Sequence, residues 1–132
     1  MDRDELRAIA ERWIALWNPP FDGDAFEALH AADFVDESPA GRPPTRAGFA
    51  EGVVNLLRIF PDLRAEVEDL VIDEREQSVA VRWSARGTAV EPFLGREPTG
   101  RVTLLAGIEI IRVRGGRIAR RWGEWDPGDG GE

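Results

Sequence analysis

Apolar residues recur at helical spacing in the first stretch of the chain, where Leu6, Ile9, Ala10, Trp13, Leu16 and Trp17 fall on one face until Asn18-Pro19-Pro20 stops the run. Asp2 followed by Glu5 has the spacing of a reciprocal N-terminal cap, so a first helix is predicted to begin there. Asp24 and Glu27 repeat that spacing and predict a short second helix over residues 25–31, packing Phe26 and Leu29, followed by a brief extended segment over 34–38. Residues 39–45 read as a loop. Thr45 then caps a third helix whose inner face carries Phe49, Val53, Leu56, Leu57 and Phe60.

After Phe60-Pro61-Asp62-Leu63 turns the chain, the period changes from helical to two. Leu63, Ala65 and Val67 share one phase and Leu70 and Ile72 the other, which predicts a bulge near Glu68-Asp69 that bends the strand. Val79, Val81, Trp83 and Ala85 alternate with Ala80, Arg82, Ser84 and Arg86, a strand with one dry face turned to the helices. Residues 102–113 are apolar on both phases, and Gly115-Gly116 makes a hairpin into a last strand over 117–126. No internal repeat or linker breaks the chain. The pattern predicts one α+β domain over residues 1–126, three N-terminal helices on one face of a curved antiparallel sheet, with 127–132 as a flexible tail.

At 132 residues this domain is long enough to bury a core without disulfide or metal. Composition narrows its chemistry. All 17 basic residues are arginine, and the sequence has no cysteine, lysine or tyrosine and a single histidine, His30. Thiolate and Schiff-base chemistry, a tyrosine donor and multi-histidine metal sites are thereby excluded, so neither a metal nor a cofactor is expected. A net charge of −8 disfavours nucleic acid and anionic membranes as partners. The lack of cysteine and of any long apolar run, together with a charged N-terminal stretch, leads to the expectation of a cytoplasmic protein.

The motifs Phe60-Pro61-Asp62-Leu63, Val81-Arg82-Trp83, Arg86-Gly87-Thr88, Phe93-Leu94-Gly95, Pro98-Thr99-Gly100, Gly107-Ile108-Glu109-Ile110, Gly116-Arg117-Ile118 and Trp122-Gly123-Glu124-Trp125-Asp126 resemble SnoaL-like polyketide cyclase relatives. The likeness covers nearly the whole chain. It implies the cone of the NTF2-like (cystatin-like) superfamily, which encloses a pocket between helices and the concave sheet face and hosts cyclases, ketosteroid isomerases, limonene epoxide hydrolases and proteins without known activity. Carried over residue by residue, the resemblance sets Trp13 where the isomerases place an oxyanion-hole tyrosine, and Ser38, with Glu37 adjacent, where they place a base before a proline. The Asp-Arg-Asp set of the epoxide hydrolases falls on Trp83, Ala85 and Gly123, and the His-Trp-Asp of the cyclases on Arg121-Trp122-Gly123. None of these known acid/base patterns is present.

What remains follows from strand phase. If Val81 and Trp83 face the pocket, Leu105, Gly107, Glu109, Ile111, Arg121, Gly123 and Trp125 turn inward with them. Glu109 then stands among apolar neighbours, where burial disfavours its charged form and suits it to proton transfer; the alternative is an ion pair with an arginine on a neighbouring strand, such as Arg121. Glu37 is either a second acid or a residue of the pocket rim. Trp13, Trp17, Trp83 and Trp125 line the hollow or simply pack the core. His30 is expected at a helix end in a solvated or capping role.

Two functions are left open. In one, Glu109 moves a proton beside the carbonyl of a small hydrophobic molecule, with Trp13 and Arg121 stabilising the enolate and Glu37 in reserve, as in a cofactor-independent aldol cyclase or isomerase. In the other, the chain is a non-catalytic binding protein or dimeric scaffold. Val102, Leu104, Ala106, Ile108 and Ile110 occupy the phase opposite Glu109, and so large an apolar stripe on the convex face predicts a homodimer.

Overall fold

The computed structural model describes residues 1–127, so the predicted tail lies, beyond Pro127, outside the described residues. Helix α1 (Arg3–Ala15) starts on the expected reciprocal cap. Asp2 Oδ1 accepts from the Glu5 N–H at 2.8 Å and Glu5 Oε1 from the Asp2 N–H at 3.0 Å. The helix buries Leu6, Ile9, Ala10, Trp13 and Ile14. Each of the larger side chains contributes roughly 1.5–3 kcal/mol by leaving water.

Helix α2 (Gly23–Leu29) is capped by Asp22, not Asp24, through a 3.0 Å hydrogen bond from the Ala25 N–H. A cap must hold extended dihedrals just before the first helical residue, and Asp22 does so at φ −110° and ψ 97°. Asp24 lies within the first turn, where its charge faces the positive end of the helix dipole. The helix also stops two residues short of the expected end. His30 is already extended and opens strand β1 (His30–Asp36), which begins four residues before the predicted segment. Helix α3 (Arg46–Ile59) is capped by Thr45 as expected, its hydroxyl accepting from the Gly48 N–H at 3.1 Å. Phe49 and Val53 are buried on its inner face, while Leu56 and Leu57 are only partly covered.

Strands β2 (Arg64–Asp73), β3 (Ser78–Thr88), β4 (Val102–Arg114) and β5 (Arg117–Asp126) pair antiparallel in sequence order. The register slips between Val67 and Asp69, placing the bulge where the phase change predicted it. Gly115 and Gly116 close the β4–β5 hairpin, both at positive φ. The sheet order is β1-β5-β4-β3-β2, with β1 running parallel to β5. That pairing sets Asp36 beside Arg121, and an all-antiparallel reading of the sequence does not contain it. The two edge strands stay unjoined, so the sheet is open and the helices cover one face. None of the described helices is long and apolar enough to cross a membrane.

Phe49 sits at the centre of the aromatic core, within 6.4 Å of the ring centroids of Trp13, Trp17, Phe26, His30 and Phe34. His30 is therefore not solvated: it is fully buried and stacks on Phe26 at 4.1 Å. The Trp13 indole N–H donates to His30 Nε2 at 3.0 Å, and His30 Nδ1 lies 2.7 Å from the Phe26 carbonyl oxygen. These two contacts are satisfied together only by neutral imidazole carrying its proton on Nδ1.

Burial lowers the His30 pKa to about 4, and Arg46 adds to the shift against the opposing pull of the Phe26 carbonyl. A proton on Nε2 would also set two donors against each other at the Trp13 contact. Below pH 6.5 the unfolded chain takes up a proton that the folded chain refuses until about pH 4, so this residue withdraws stability as the pH falls through that window. The full effect is roughly 3 kcal/mol. Urea titrations at pH 7 and pH 4.5 will show a smaller stability loss in His30→Gln than in the parent chain; equal losses in both would mean that the buried ring already carries its charge.

Candidate functional site

The helices and the bent sheet enclose a pocket of about 110 Å³. Trp17 at the end of α1 and Phe49, Val53 and Leu56 of α3 form its helical wall, while Trp83, Leu105, Glu109 and Arg121 rise from the sheet. Trp125 and Arg42 stand at the mouth, both partly exposed. An apolar cavity of about 150 Å³ holds a benzene ring, so this hollow takes one ring-sized portion of a ligand and the remainder must extend through the mouth.

Register explains why Glu109 and Arg121 meet. Glu109 pairs with Val81 on one side and Gly123 on the other, and Ile111 pairs with Arg121, so Glu109 and Arg121 are diagonal neighbours on the concave face. Gly123 makes their contact possible, because a Cβ there would lie 2.3 Å from Glu109 Oε1 and 2.4 Å from Arg121 Nη2. Gly107 does the same for aromatic rings, since its Cβ would stand 2.5 Å from the Trp83 indole. Small residues on the inward phase thus mark where larger neighbours lean across.

Glu109 is almost fully buried, and both of its oxygens are engaged. Arg121 Nε donates to Oε1 at 2.7 Å, and the Trp83 indole N–H donates to Oε2 at 3.1 Å. Arg121 Nη1 turns to the opposite side and donates to Asp36 Oδ1 at 2.8 Å and to the Ser38 carbonyl oxygen at 3.0 Å. One guanidinium therefore serves two buried carboxylates. Its Cζ lies 5.0 Å above the centre of the Phe49 ring. Arg42 Nη2 completes the array at 3.5 Å from Asp36 Oδ2.

Burial drives the Glu109 pKa above its ordinary value, Arg121 and the Trp83 hydrogen bond pull against the rise, and Asp36 adds to it. For Arg121, burial works to lower the pKa but is outweighed by Glu109 and Asp36, which hold it above the usual arginine value. Desolvation governs the acid because the guanidinium is divided between two anions. The array can bind an apolar molecule, keep water off a carboxylate and present positive charge to an oxygen. Among the described residues no group of three His, Asp or Glu side chains is arranged to hold a metal ion.

Of the residues singled out from sequence, Glu109, Arg121, Trp17, Trp83, Leu105 and Trp125 surround the pocket. Gly107 and Gly123 lie beneath the rings and charges they make room for, and Ile111 is fully buried in the core. Trp13 does not line the hollow. It backs Trp17 at 4.8 Å between ring centres, and its N–H is committed to His30, so it is no donor for a ligand. Glu37 points away from the pocket and pairs with Arg120, 3.3 Å from the arginine Nε, because strand alternation turns Asp36 inward instead. Asp36 and Arg42 were not singled out. A signal for Asp36 was present: Phe34 is apolar and two residues before it, so an inward Phe34 implies an inward Asp36.

Comparison with known proteins fits this architecture. The family model described as SnoaL-like polyketide cyclase matches residues 7–128. Among solved structures, wild-type IdmH, a putative polyketide cyclase from Streptomyces antibioticus, is 32% identical with a TM-score of 0.80 over 92% of this chain and 91% of that one. AclR, a putative hydroxylase from Streptomyces galilaeus, is 25% identical with a TM-score of 0.81, covering 95% of this chain and 77% of that one. TsrD from Streptomyces laurentii shares the fold at 22% identity, with a TM-score of 0.83 over 96% and 91% of the two chains. A search of curated proteins finds no match. Three helices on an open curved sheet, a pocket between them and a match spanning nearly the whole chain lead to one conclusion: the chain belongs to the SnoaL-like polyketide cyclase family, with its NTF2-like fold.

Proposed function

We propose that the chain is a cofactor-independent cyclase or isomerase of a small hydrophobic carbonyl compound, with Glu109 as the group that moves the proton. The observation carrying this reading is the position of Glu109: a buried carboxylate lining an apolar pocket, held by Arg121 and Trp83 and raised in pKa by desolvation. Glu109 takes the proton from the carbon beside the carbonyl, the C–H electron pair becomes a carbon–carbon double bond, and the carbonyl π pair moves onto oxygen to give an enolate. In a cyclisation the enolate carbon then attacks a second carbonyl of the same molecule, and the new alkoxide recovers a proton from Glu109. In an isomerisation the proton returns to a different carbon. Trp17, Trp83 and Trp125 grip the flat part of the ligand.

One observation favours a second reading, a binding protein without chemistry. The 2.7 Å contact to Arg121 and the 3.1 Å contact to Trp83 occupy both oxygens of Glu109, so one must loosen before the carboxylate meets a substrate proton. Deuterium exchange separates the two. In heavy water the chain is expected to speed exchange at the α-carbon of a small aryl ketone such as 1-indanone, and Glu109→Gln to lower that rate about a hundredfold or more. The parent rate will rise with pH through a midpoint above 4.5, the ordinary value for a glutamate, since ionised Glu109 is the base. An exchange rate indifferent to Glu109→Gln removes its proton-transfer role, and a bound ketone that exchanges no faster than in buffer favours the binding protein.

We also infer a homodimer through the convex face and action in the cytoplasm. Val102, Leu104, Ile108 and Ile110 are exposed together on β4, and Val71 adds to them from β2, a contiguous run of large apolar side chains of the kind that marks an interaction surface. Sedimentation at micromolar concentration will give a dimer that Ile108→Arg converts to monomer; a parent chain that sediments as a monomer excludes the interface.

A further inference from the structure

With Trp13 committed to His30, the pocket still needs a donor for the negative oxygen that proton abstraction creates. Arg42 stands at the mouth as the other guanidinium lining the hollow. Its Nε is buried without a hydrogen-bond partner, and the facing Asp36 Oδ2 is likewise buried and without one. Their 3.5 Å ion pair orients Arg42 without using up its donors, in contrast to Arg121, which is bound on both sides. Asp36 Oδ1 is fully occupied by Arg121 and the Ser38 N–H.

Two backbone features hold the side chain there. Arg42 follows Ala40 and Gly41, both in the left-handed region at φ 52° and 87°, and the Arg42 N–H closes the turn onto the Pro39 carbonyl at 3.0 Å. An alanine rarely accepts that conformation, so the turn is over-determined by its surroundings. Gly52 of α3 lies directly beneath the guanidinium, where a Cβ would come within 2.7 Å of Arg42 Nε. The helix has a gap at the one place the arginine crosses it.

Charge completes the argument. With Glu109 ionised, the two carboxylates and two guanidiniums of the array sum to zero. Once Glu109 accepts the proton, the protein side carries one positive charge in excess and the ligand one negative charge. We propose that Arg42 binds that delocalised oxyanion, an assignment that rests on the proton-transfer reading above and gives the substrate as a carbonyl compound whose enolate oxygen reaches the pocket mouth. The enolate oxygen accepts from the Arg42 guanidinium at the mouth, a charged donor in place before the reaction, and a small shift of the side chain brings the buried, unpartnered Nε to it as well.

The test uses 4-nitrophenol, whose ionised form mimics a planar enolate and absorbs where the neutral form does not, beside nitrobenzene as a neutral probe of the same shape. Near neutral pH the parent chain is expected to bind the phenolate in preference. Arg42→Met should weaken phenolate binding about tenfold or more while nitrobenzene binding stays within about twofold. Gly52→Ala, which keeps the charge but pushes the guanidinium off α3, should give the same selective loss and guards against misfolding of the first variant. Equal changes for both probes, or no change, overturn the role of Arg42 and leave the proton-transfer reading standing if 1-indanone exchange persists. If neither probe binds the parent chain, the pocket reading fails and the Arg42 assignment falls with it.

Discussion

A carboxylate cannot be carried into an apolar hollow alone, and the Arg121 guanidinium is what lets Glu109 stay there. An unpaired buried carboxylate costs several kcal/mol, and leaving both Glu109 and Asp36 without Arg121 would multiply that cost. Everything around the pocket is arranged to permit this one contact. Gly123 leaves the space, the diagonal register of β4 and β5 supplies the approach, and Phe49 covers the exposed face of the guanidinium. Sharing the cation between two acids also keeps Glu109 from being pinned in its ionised form, since each anion weakens the hold on the other.

The polar array sits against a buried aromatic core whose polar groups are committed to one another. Trp13, His30 and the Phe26 carbonyl form a closed chain of donors and acceptors with nothing left over, which keeps the helices at a fixed distance from the sheet. Trp17 bridges the two regions: it rests on Trp13 on one side and approaches Trp83 at 5.8 Å on the other. The hollow is thus a gap between a rigid helical layer and a sheet bent by the bulge in β2, and its size follows from those two constraints.

Features fixed by neighbours in the chain were legible in the sequence. The cap of α1, the cap of α3, the bulge in β2 and the Gly115-Gly116 hairpin each depend on residues a few positions apart, and strand parity alone turned Glu109 and Arg121 toward the same space. Features fixed across the fold were not. Strand alternation from Phe34 turns Asp36 inward, but the parallel docking of β1 on β5 that sets Asp36 beside Arg121 leaves no trace in the sequence, and the resemblance points to Glu37 beside Ser38-Pro39 instead. The resemblance sets Trp13 at the place of an oxyanion donor, and nothing in the helix sequence shows that His30 waits across from it. Arg42 lay in a loop, where side-chain direction depends on two left-handed residues and a glycine on another helix.

The separation between Asp36 and Arg121, 85 positions along the chain, has a kinetic meaning. Closing so long a segment is slow compared with forming helices or the β4–β5 hairpin, which join near neighbours. The hairpin already brings Glu109 beside Arg121, but the second acid arrives only when β1 docks on the far strand. A ribosome releasing this protein would expose a half-built charge cluster until its final strand emerged, and the finished pocket therefore waits on the meeting of β1 with β5.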